Sequence, residues 1–299
     1  GVPITEFCDQ QSLAIRERLQ LFLTICIAIQ HAHQKGIIHR DLKPSNILVS
    51  MQDDQPAPRV IDFGLVKATG QSRSDEQQLT AQWQIVGTPE YMSPEQSQFD
   101  AVDIDTRSDV YSLGVILYEL LTGSTPLKRD VVRQETIMKT LERIREEEPD
   151  RPSSRIIETQ YAHSLSDAHV ITPRKFSMQM KGDLDWIILK ALEKDRNRRY
   201  ESASAFAADI RRHLDDEPVE ARPHSTQYRL QKLIRRHRAA FTFAVTVASL
   251  LVIGTVVSSA LAIWATREAN VAETRRIAAD EARVAAELSD RRSKRILDV

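Results

Sequence analysis

Residues 36–50 read GIIHRDLKPSNILVS, and this stretch decides the fold class of the chain. An apolar pair leads into a polar loop, and a short run typical of a β-strand follows. A second stretch of the same kind, RVIDFGL at 59–65, comes after a proline-rich gap at 56–58. Because short strands around a polar loop are a usual scaffold for catalytic side chains, we expect both stretches to border one cleft.

Helical patterns lie on both sides of this loop. Residues 11–35 carry apolar side chains at helical spacing and are predicted to form a largely buried helix that ends at Gly36. The stretch 109–123, DVYSLGVILYELLTG, is predicted to be a strongly apolar helix that ends at its last glycine. Residues 183–214 are predicted to form two more helices. The expected fold is therefore mainly α (α+β), with short β-hairpins at the cleft.

The pair His31 and His33 near the end of the first helix raises the question of a metal site. Residues two positions apart point to different sides of a helix, so they do not converge on one ion. We interpret these histidines as a packed helix end.

Composition excludes several classes of protein. The 299 residues are 41% apolar and 28% charged, which is typical of a globular chain and not of a disordered or collagen-like one. Only Cys8 and Cys26 are present, so no disulfide framework holds the fold. Residues 1–217 contain 27 Lys and Arg against 34 Asp and Glu. This acidic balance predicts no nucleic-acid partner.

Four strings together carry a family resemblance. His39, Arg40, Asp41 and Asn46 form H-R-D-x-x-x-x-N, and D-F-G follows at 62–64. GTPEYMSPEQ lies at 87–96 and LEKDRNRRY at 192–200. In this order the strings resemble the protein kinases, most closely the bacterial membrane-anchored serine/threonine kinases. The resemblance covers about residues 1–214 and implies the mainly helical large lobe of that fold.

The resemblance implies a set of catalytic roles. Asp41 would accept the proton of the substrate hydroxyl, and Lys43 would face the transferred phosphate. Asn46 and Asp62 would hold Mg²⁺ between the phosphates of ATP, and Leu48 would form the floor of the adenine pocket. The D-L-K-P-S-N string resembles the serine/threonine branch, so the implied substrates are Ser and Thr side chains of proteins.

The resemblance also implies a regulated segment after the D-F-G string. Thr88 would brace Asp41 and Lys43. Arg40 would pair with a phosphorylated hydroxyl in residues 65–86, with Thr80 as the first candidate. A solvated loop that is never modified is the alternative.

Five further residues have implied structural roles. Glu95 and Arg199 would form a buried ion pair at the end of the segment. Asp109 would hold the backbone of the H-R-D string, while His39 and Phe63 would pack into the core.

Two features of the kinase pattern are not found. None of the nine glycines is followed by a second glycine two residues later, so no G-x-G-x-x-G occurs. Lys35 is the one lysine before Asp41, and it lies at a predicted helix end. We therefore expect the small lobe to lie outside this sequence. Two hypotheses follow: an ATP-dependent serine/threonine kinase whose small lobe lies upstream, or a non-catalytic, membrane-anchored interaction module.

The uncharged run from Ala239 to Ala265 predicts a transmembrane helix, because about 20 apolar residues already span the hydrocarbon core. The residues before it are strongly basic, which places the kinase part in the cytoplasm and residues 266–299 outside the inner (plasma) membrane. Residues 218–238 are then a juxtamembrane segment beside anionic lipid. Gly254 and Ser258 allow either close pairing into a homodimer or a lipid-facing surface.

The predicted order of domains is thus a truncated kinase domain at 1–217, the basic juxtamembrane segment at 218–238, the transmembrane helix at 239–265 and an extracytoplasmic helical stub at 266–299.

Overall fold

The structure is a computed structural model, and it describes residues 1–63, 89–98, 104–129, 132, 135–158, 180–223, 228, 232 and 238–297. The chain divides into two compact units, Gly1–Arg236 and His237–Val299, and each is described by itself. The described helices of the first unit are α1 (Ile4–Gln10), α2 (Ile15–Gln34), α3 (Thr106–Thr122), α4 (Ile137–Glu146), α5 (Pro152–Glu158), α6 (Asp183–Ala191) and α7 (Ala203–Leu214).

A small antiparallel sheet lies beside these helices. It contains β1 (Val2–Pro3), β2 (Ile47–Gln52) and β3 (Gln55–Val60), in the order β1–β2–β3. The β2–β3 hairpin turns at Asp53 and Asp54, whose φ angles of 46° and 59° are those that a tight two-residue turn requires. Within the described residues, the predicted short β-hairpins correspond to one hairpin, β2–β3, and β1 pairs with its β2 strand.

The proline-rich gap expected at 56–58 is part of strand β3. Pro56 pairs with Met51 and Pro58 with Val49. A proline has no N–H to donate, so it is tolerated where that side of the strand has no neighbour. The two prolines are two residues apart and share one orientation, and β3 is an edge strand of the described sheet.

Helix α2 forms one wall of the core because its apolar side chains recur at helical spacing. Leu19, Phe22, Ile25 and Ile29 are at most 1% exposed. The helix ends before Gly36, whose φ of 74° is a left-handed conformation that glycine adopts without strain. This glycine turns the chain directly into the polar loop at 39–46.

Helix α3 runs through the centre of the unit and is buried along nearly its whole length. Its first turn is capped by Asp105, which accepts a hydrogen bond of 2.7 Å from the backbone N–H of Arg107. Gly114 allows α6 to approach closely, because a Cβ there would lie 2.9 Å from the Cβ of Ala191. Asp109 is therefore carried on a rigid, well-packed element.

The second unit is the single helix α8 (Arg238–Leu297). Its part Val245–Val284 is long and apolar enough to cross a membrane, by length and composition. The predicted transmembrane run and the predicted C-terminal helix belong to this one continuous helix.

Candidate active site

The backbone is left-handed at two points of the site, one in the polar loop that follows α2 and one just after β3. Arg40 has a φ of 66° and Asp62, after β3, a φ of 56°. Non-glycine residues adopt this region at a cost, so the surrounding structure must hold them there. The backbone N–H of Ile61 donates to the carbonyl of Asn46 at 2.9 Å, which joins the two segments beside Asp62.

Asp109 holds the loop from the first turn of α3. Its Oδ2 accepts the backbone N–H of His39 at 2.8 Å, and its Oδ1 accepts that of Arg40 at 2.9 Å. The residue is 1% exposed, so these hydrogen bonds are shielded from water. The geometry is the one that the resemblance implies for Asp109.

His33 also contacts Asp109, which the sequence analysis missed. The Nε2 of His33 lies 2.7 Å from the Oδ2 of Asp109, and both side chains are almost fully buried. The prediction of a packed helix end did not include this partner, because Asp109 is 76 residues away along the chain. A second missed contact is made by Gln96, whose side chain donates to the backbone carbonyl of Arg40 at 2.7 Å.

His39 is fully buried, and its contacts define its tautomer. Nε2 lies 3.0 Å from the carbonyl oxygen of Ile61, and a carbonyl can only accept, so Nε2 carries the proton. Nδ1 then accepts the backbone N–H of Asp41 at 3.4 Å. The ring centroid lies 4.9 Å from that of Phe63, which is partly buried against the core. His39 therefore orients the loop and is not placed for acid–base chemistry.

Asp41, Lys43 and Asn46 form a polar cluster. The Nζ of Lys43 donates to the Oδ2 of Asp41 at 2.9 Å. The Nδ2 of Asn46 donates to the carbonyl of Asp41 at 2.8 Å and approaches its Oδ2 at 3.3 Å. The Asp41 side chain is 45% exposed, so it is accessible from solvent.

The residues present fit a magnesium site. The backbone carbonyl of Asp41 can only accept a hydrogen bond, so the Asn46 atom that contacts it is the donor Nδ2. The Oδ1 of Asn46 therefore points elsewhere, and it makes no hydrogen bond within the described residues. The Asp62 carboxylate is exposed and has no hydrogen bond or ion pair to the described part of the chain. No three acidic, histidine or cysteine side chains cluster in those ranges. One carboxylate and one amide suit Mg²⁺, which is usually completed by phosphate oxygens and water.

Leu48 lies on β2 opposite Arg59 and is half-buried, between the loop and the hairpin turn. Thr80 and Thr88 lie outside the described residues, and so does the string between Asp62 and Pro89 apart from Phe63. The predicted activation segment is thus described only at its two ends.

Glu95 and Arg199 form a bidentate ion pair. The two distances are 2.7 Å and 2.8 Å, and the Arg199 side chain is fully buried. Burial by itself would raise the pKa of Glu95, but the hydrogen bonds and charge of Arg199, together with a hydrogen bond from Ser108, lower that pKa. Glu95 therefore stays ionised and fixes the end of the segment to the helical core.

Most of this chain is similar to known proteins. Residues 4–210 match the protein kinase domain family. The chain is 36% identical over 206 residues to serine/threonine-protein kinase PknB of Mycobacterium tuberculosis, which covers 69% of this chain and 28% of that protein. It is 34% identical over 222 residues to the probable serine/threonine-protein kinase SCO3848 of Streptomyces coelicolor, which covers 74% and 28%.

The solved structure of the PknI kinase domain of M. tuberculosis aligns over 71% of this chain and 62% of that chain, with 21% identity and a TM-score of 0.44. The chain spans 28% of the length of the two curated relatives above. The family match covers more than two thirds of the chain and includes every described residue of the site. This chain belongs to the protein kinase family.

Proposed function

We propose that this chain carries the catalytic lobe and the membrane anchor of a kinase that transfers the γ-phosphoryl group of ATP to Ser or Thr side chains of proteins. The observation that carries the proposal is the cluster of Asp41, Lys43 and Asn46 on a loop held by Asp109. Phosphoryl transfer needs positioning and charge neutralisation more than covalent help, and this cluster offers both.

Asp41 and Lys43 have separate roles in the proposed reaction. Oδ2 of Asp41 is occupied by Lys43 and Asn46, which leaves Oδ1 to accept the proton of the substrate hydroxyl. The hydroxyl oxygen then bonds to the γ-phosphorus while the bond to the β–γ bridging oxygen breaks, and ADP leaves. Lys43 orients the Asp41 carboxylate through its hydrogen bond to Oδ2, and its charge faces the transferred group.

Asn46 and Asp62 would hold Mg²⁺, which when bound neutralises charge on the phosphates of ATP. The test is calorimetric titration of the detergent-solubilised full chain with Mg²⁺-ATP. Asp62→Asn removes the one carboxylate of the proposed metal site and is expected to abolish binding. Asp53→Asn is the matched control, because Asp53 has a similar left-handed backbone and lies exposed at the hairpin turn.

Binding that survives Asp62→Asn unchanged would refute the metal assignment. No binding by the unmodified chain would favour the alternative, a non-catalytic interaction module anchored in the membrane. A phosphotransfer assay with a Ser/Thr protein substrate separates these cases further, because Asp41→Asn removes the base while Asn46 and Asp62 remain in the chain.

We also propose that α8 anchors the chain in the inner membrane, with residues 1–238 in the cytoplasm and 266–299 outside. The support is the charge pattern, which places a run of basic residues before the apolar stretch. Ala278→Cys tests this, because Cys8 and Cys26 are buried and give little background. A membrane-impermeant maleimide should label this variant in intact cells, whereas Glu6→Cys should react only after lysis. The reverse result would invert the topology.

Gly254 and Ser258 support pairing of two such helices into a homodimer. A Cβ at Gly254 would meet no atom within 4 Å, so this face of the helix is open. Gly254→Ile should therefore reduce cross-linking between chains in the membrane, and unchanged cross-linking would leave the lipid-facing interpretation.

A further inference from the structure

The basic segment before the membrane helix is attached to the kinase unit. Its composition predicts contact with anionic lipid, yet Lys232 is 6% exposed and Tyr228 is also 6% exposed. Both residues belong to the compact unit Gly1–Arg236. We call residues 218–232 the strap, of which 218–223, 228 and 232 are described.

The first attachment of the strap is a carboxylate on α7. Asp209 is fully buried, and its Oδ1 accepts the backbone N–H of Glu220 at 2.7 Å. Its Oδ2 accepts the backbone N–H of Ala221 at 2.8 Å and the hydroxyl of Tyr200 at 2.9 Å. One buried carboxylate thus satisfies two consecutive backbone donors, which fixes the direction of the chain as it leaves α7.

The second attachment is Tyr228. Its hydroxyl accepts the backbone N–H of Val219, itself 1% exposed, at 3.1 Å. The guanidinium of Arg222 lies over its ring, 4.3 Å from the centroid. Burial, and secondarily the charge of Asp183, raise the pKa of Tyr228 to about 12.

The third attachment is an ion pair at the start of α6. The Nζ of Lys232 lies 2.8 Å from the Oδ2 of Asp183, and the two side chains are 7% and 9% exposed. Arg222 approaches the other carboxylate oxygen at 3.5 Å, and His213 lies 3.7 Å from Oδ2. Burial opposes the charge of Asp183, but the contacts with His213, Lys232 and Tyr228 and the charge of Lys232 hold the pKa of Asp183 well below its usual range. Asp216, 3.8 Å from Lys232, is half-exposed.

We propose that the described residues of the strap are a folded extension of the kinase domain, held by Lys232 in the Asp183 site, and that this docking keeps Lys232 off the anionic membrane surface. The proposal rests on the proposed membrane position of α8. The ammonium of Lys232 is buried against the carboxylate of Asp183, so a lipid phosphate cannot contact it while the pair is intact. Lipid would have to break the pair to bind Lys232.

Docking sets how far the kinase domain can move from its anchor. Lys232 lies six positions before Arg238, where α8 begins, and six extended residue steps span at most about 20 Å. A free tether starting at Glu217 would have 21 residues and a reach of about 70 Å. The strap therefore restricts the proposed kinase to protein substrates close to the membrane or to a neighbouring copy of the chain.

Lysine acylation followed by mass spectrometry tests the strap on the full chain. The chain is placed in nanodiscs of phosphatidylcholine alone or with phosphatidylglycerol, and each lysine is compared with its own rate in the urea-unfolded chain. Lys139, whose side chain is 60% exposed, is the internal reference. We expect Lys232 to be protected at least about tenfold more than Lys139 in both lipids, equivalent to about 1.4 kcal/mol of docking.

Asp183→Asn should bring the acylation rate of Lys232 close to that of Lys139, whereas Asp216→Asn should change it less than about twofold. Tyr228→Phe removes only the hydroxyl and should give an intermediate rate, so the proposal stays testable if Asp183→Asn does not fold. Protection only in phosphatidylglycerol would overturn the proposal and assign Lys232 to the lipid. Protection that survives Asp183→Asn in a folded chain would also overturn it.

The readout is independent of kinase activity and of membrane insertion. If the chain does not insert into nanodiscs, the proposed membrane anchor fails, but the same comparison in detergent micelles still reports on the strap. If phosphotransfer is absent while Lys232 remains protected, the catalytic proposal alone fails.

Discussion

Replacing Arg199 with methionine should strongly destabilise the kinase unit. The guanidinium is fully buried and satisfies both carboxylate oxygens of Glu95, at 2.7 Å and 2.8 Å. It also donates to three backbone carbonyls, those of Glu193 at 2.6 Å, Lys194 at 3.0 Å and Arg107 at 3.1 Å. Methionine matches much of the side-chain volume but provides none of these donors.

The expected loss follows from the groups that remain. Removing one partner of a buried ion pair typically costs about 3–5 kcal/mol, because the other charge stays buried without compensation. A domain of this size is usually stable by about 5–15 kcal/mol, so Arg199→Met should remove roughly a fifth or more of the total. The double variant Glu95→Gln with Arg199→Met carries no unpaired charge and should recover part of the loss.

Acid pH should weaken the same contact. The pKa of Glu95 is lowered in the folded state, so the stability it contributes is fully present above its unfolded pKa of about 4.3. That contribution is lost as the pH falls through the folded value. The loss should be smaller in Arg199→Met, where the favourable partner is absent.

Pulse proteolysis of the full chain in detergent, across a urea series, measures these differences in the free energy of unfolding. Arg198→Met is a matched control, because Arg198 is the adjacent residue, its side chain is 71% exposed and its distance to Glu193 is 3.9 Å. We expect the control to change stability by less than about 1 kcal/mol. A loss below about 1 kcal/mol for Arg199→Met as well would refute the reasoning about the buried pair.

Three further predictions concern single positions. Asp109→Asn replaces one acceptor by a donor facing a backbone N–H of the catalytic loop, so phosphotransfer should fall at least about tenfold with the fold retained; equal rates would contradict the positioning role. Burial, and secondarily repulsion by Arg199, lower the pKa of Lys194 to about 8. Between this value and the unfolded value of 10.5 the unfolded chain binds more protons, so the free energy of unfolding should rise as the pH increases from about 8 to 10.5. Lys194→Met should flatten this rise in the same urea assay. Gly114→Ala should lower the free energy of unfolding by about 1–3 kcal/mol in the same urea assay, because its Cβ would lie 2.9 Å from that of Ala191. The double variant Gly114→Ala with Ala191→Gly should recover the loss, and no recovery would contradict a clash between these two residues.

The fold class could be predicted from sequence because its signals are local. The apolar periodicity of α2 and the glycine that ends it lie within one stretch, and so do the polar loop and β2. The sequence predicts the second strand too late, at 59–65 instead of Gln55–Val60, because prolines usually interrupt strands. Their position at the edge of the described sheet depends on which strand has a neighbour, and the sequence of one strand does not contain that information.

The site could be predicted only in part. Asp41, Lys43 and Asn46 fall within six residues, so one short motif names them all. The pairing of Glu95 with Arg199 joins residues 104 apart and was inferred from family resemblance rather than from local pattern. The sequence indicates only packing for His33, because its partner, Asp109, is 76 residues away and its own helix offers no ligand for it.

Lys232 shows most clearly why charge composition does not determine where a cation lies. It belongs to a run of basic residues before an apolar helix, and that run favours anionic lipid for each member alike. The position of Lys232 is decided instead by Asp183, 49 residues earlier, beside which Tyr228 also lies. Burying both partners together avoids an unpaired charge, whereas burying either alone would be costly. A lysine of this kind can be told apart from the other basic residues of the run only by finding the carboxylate that it contacts.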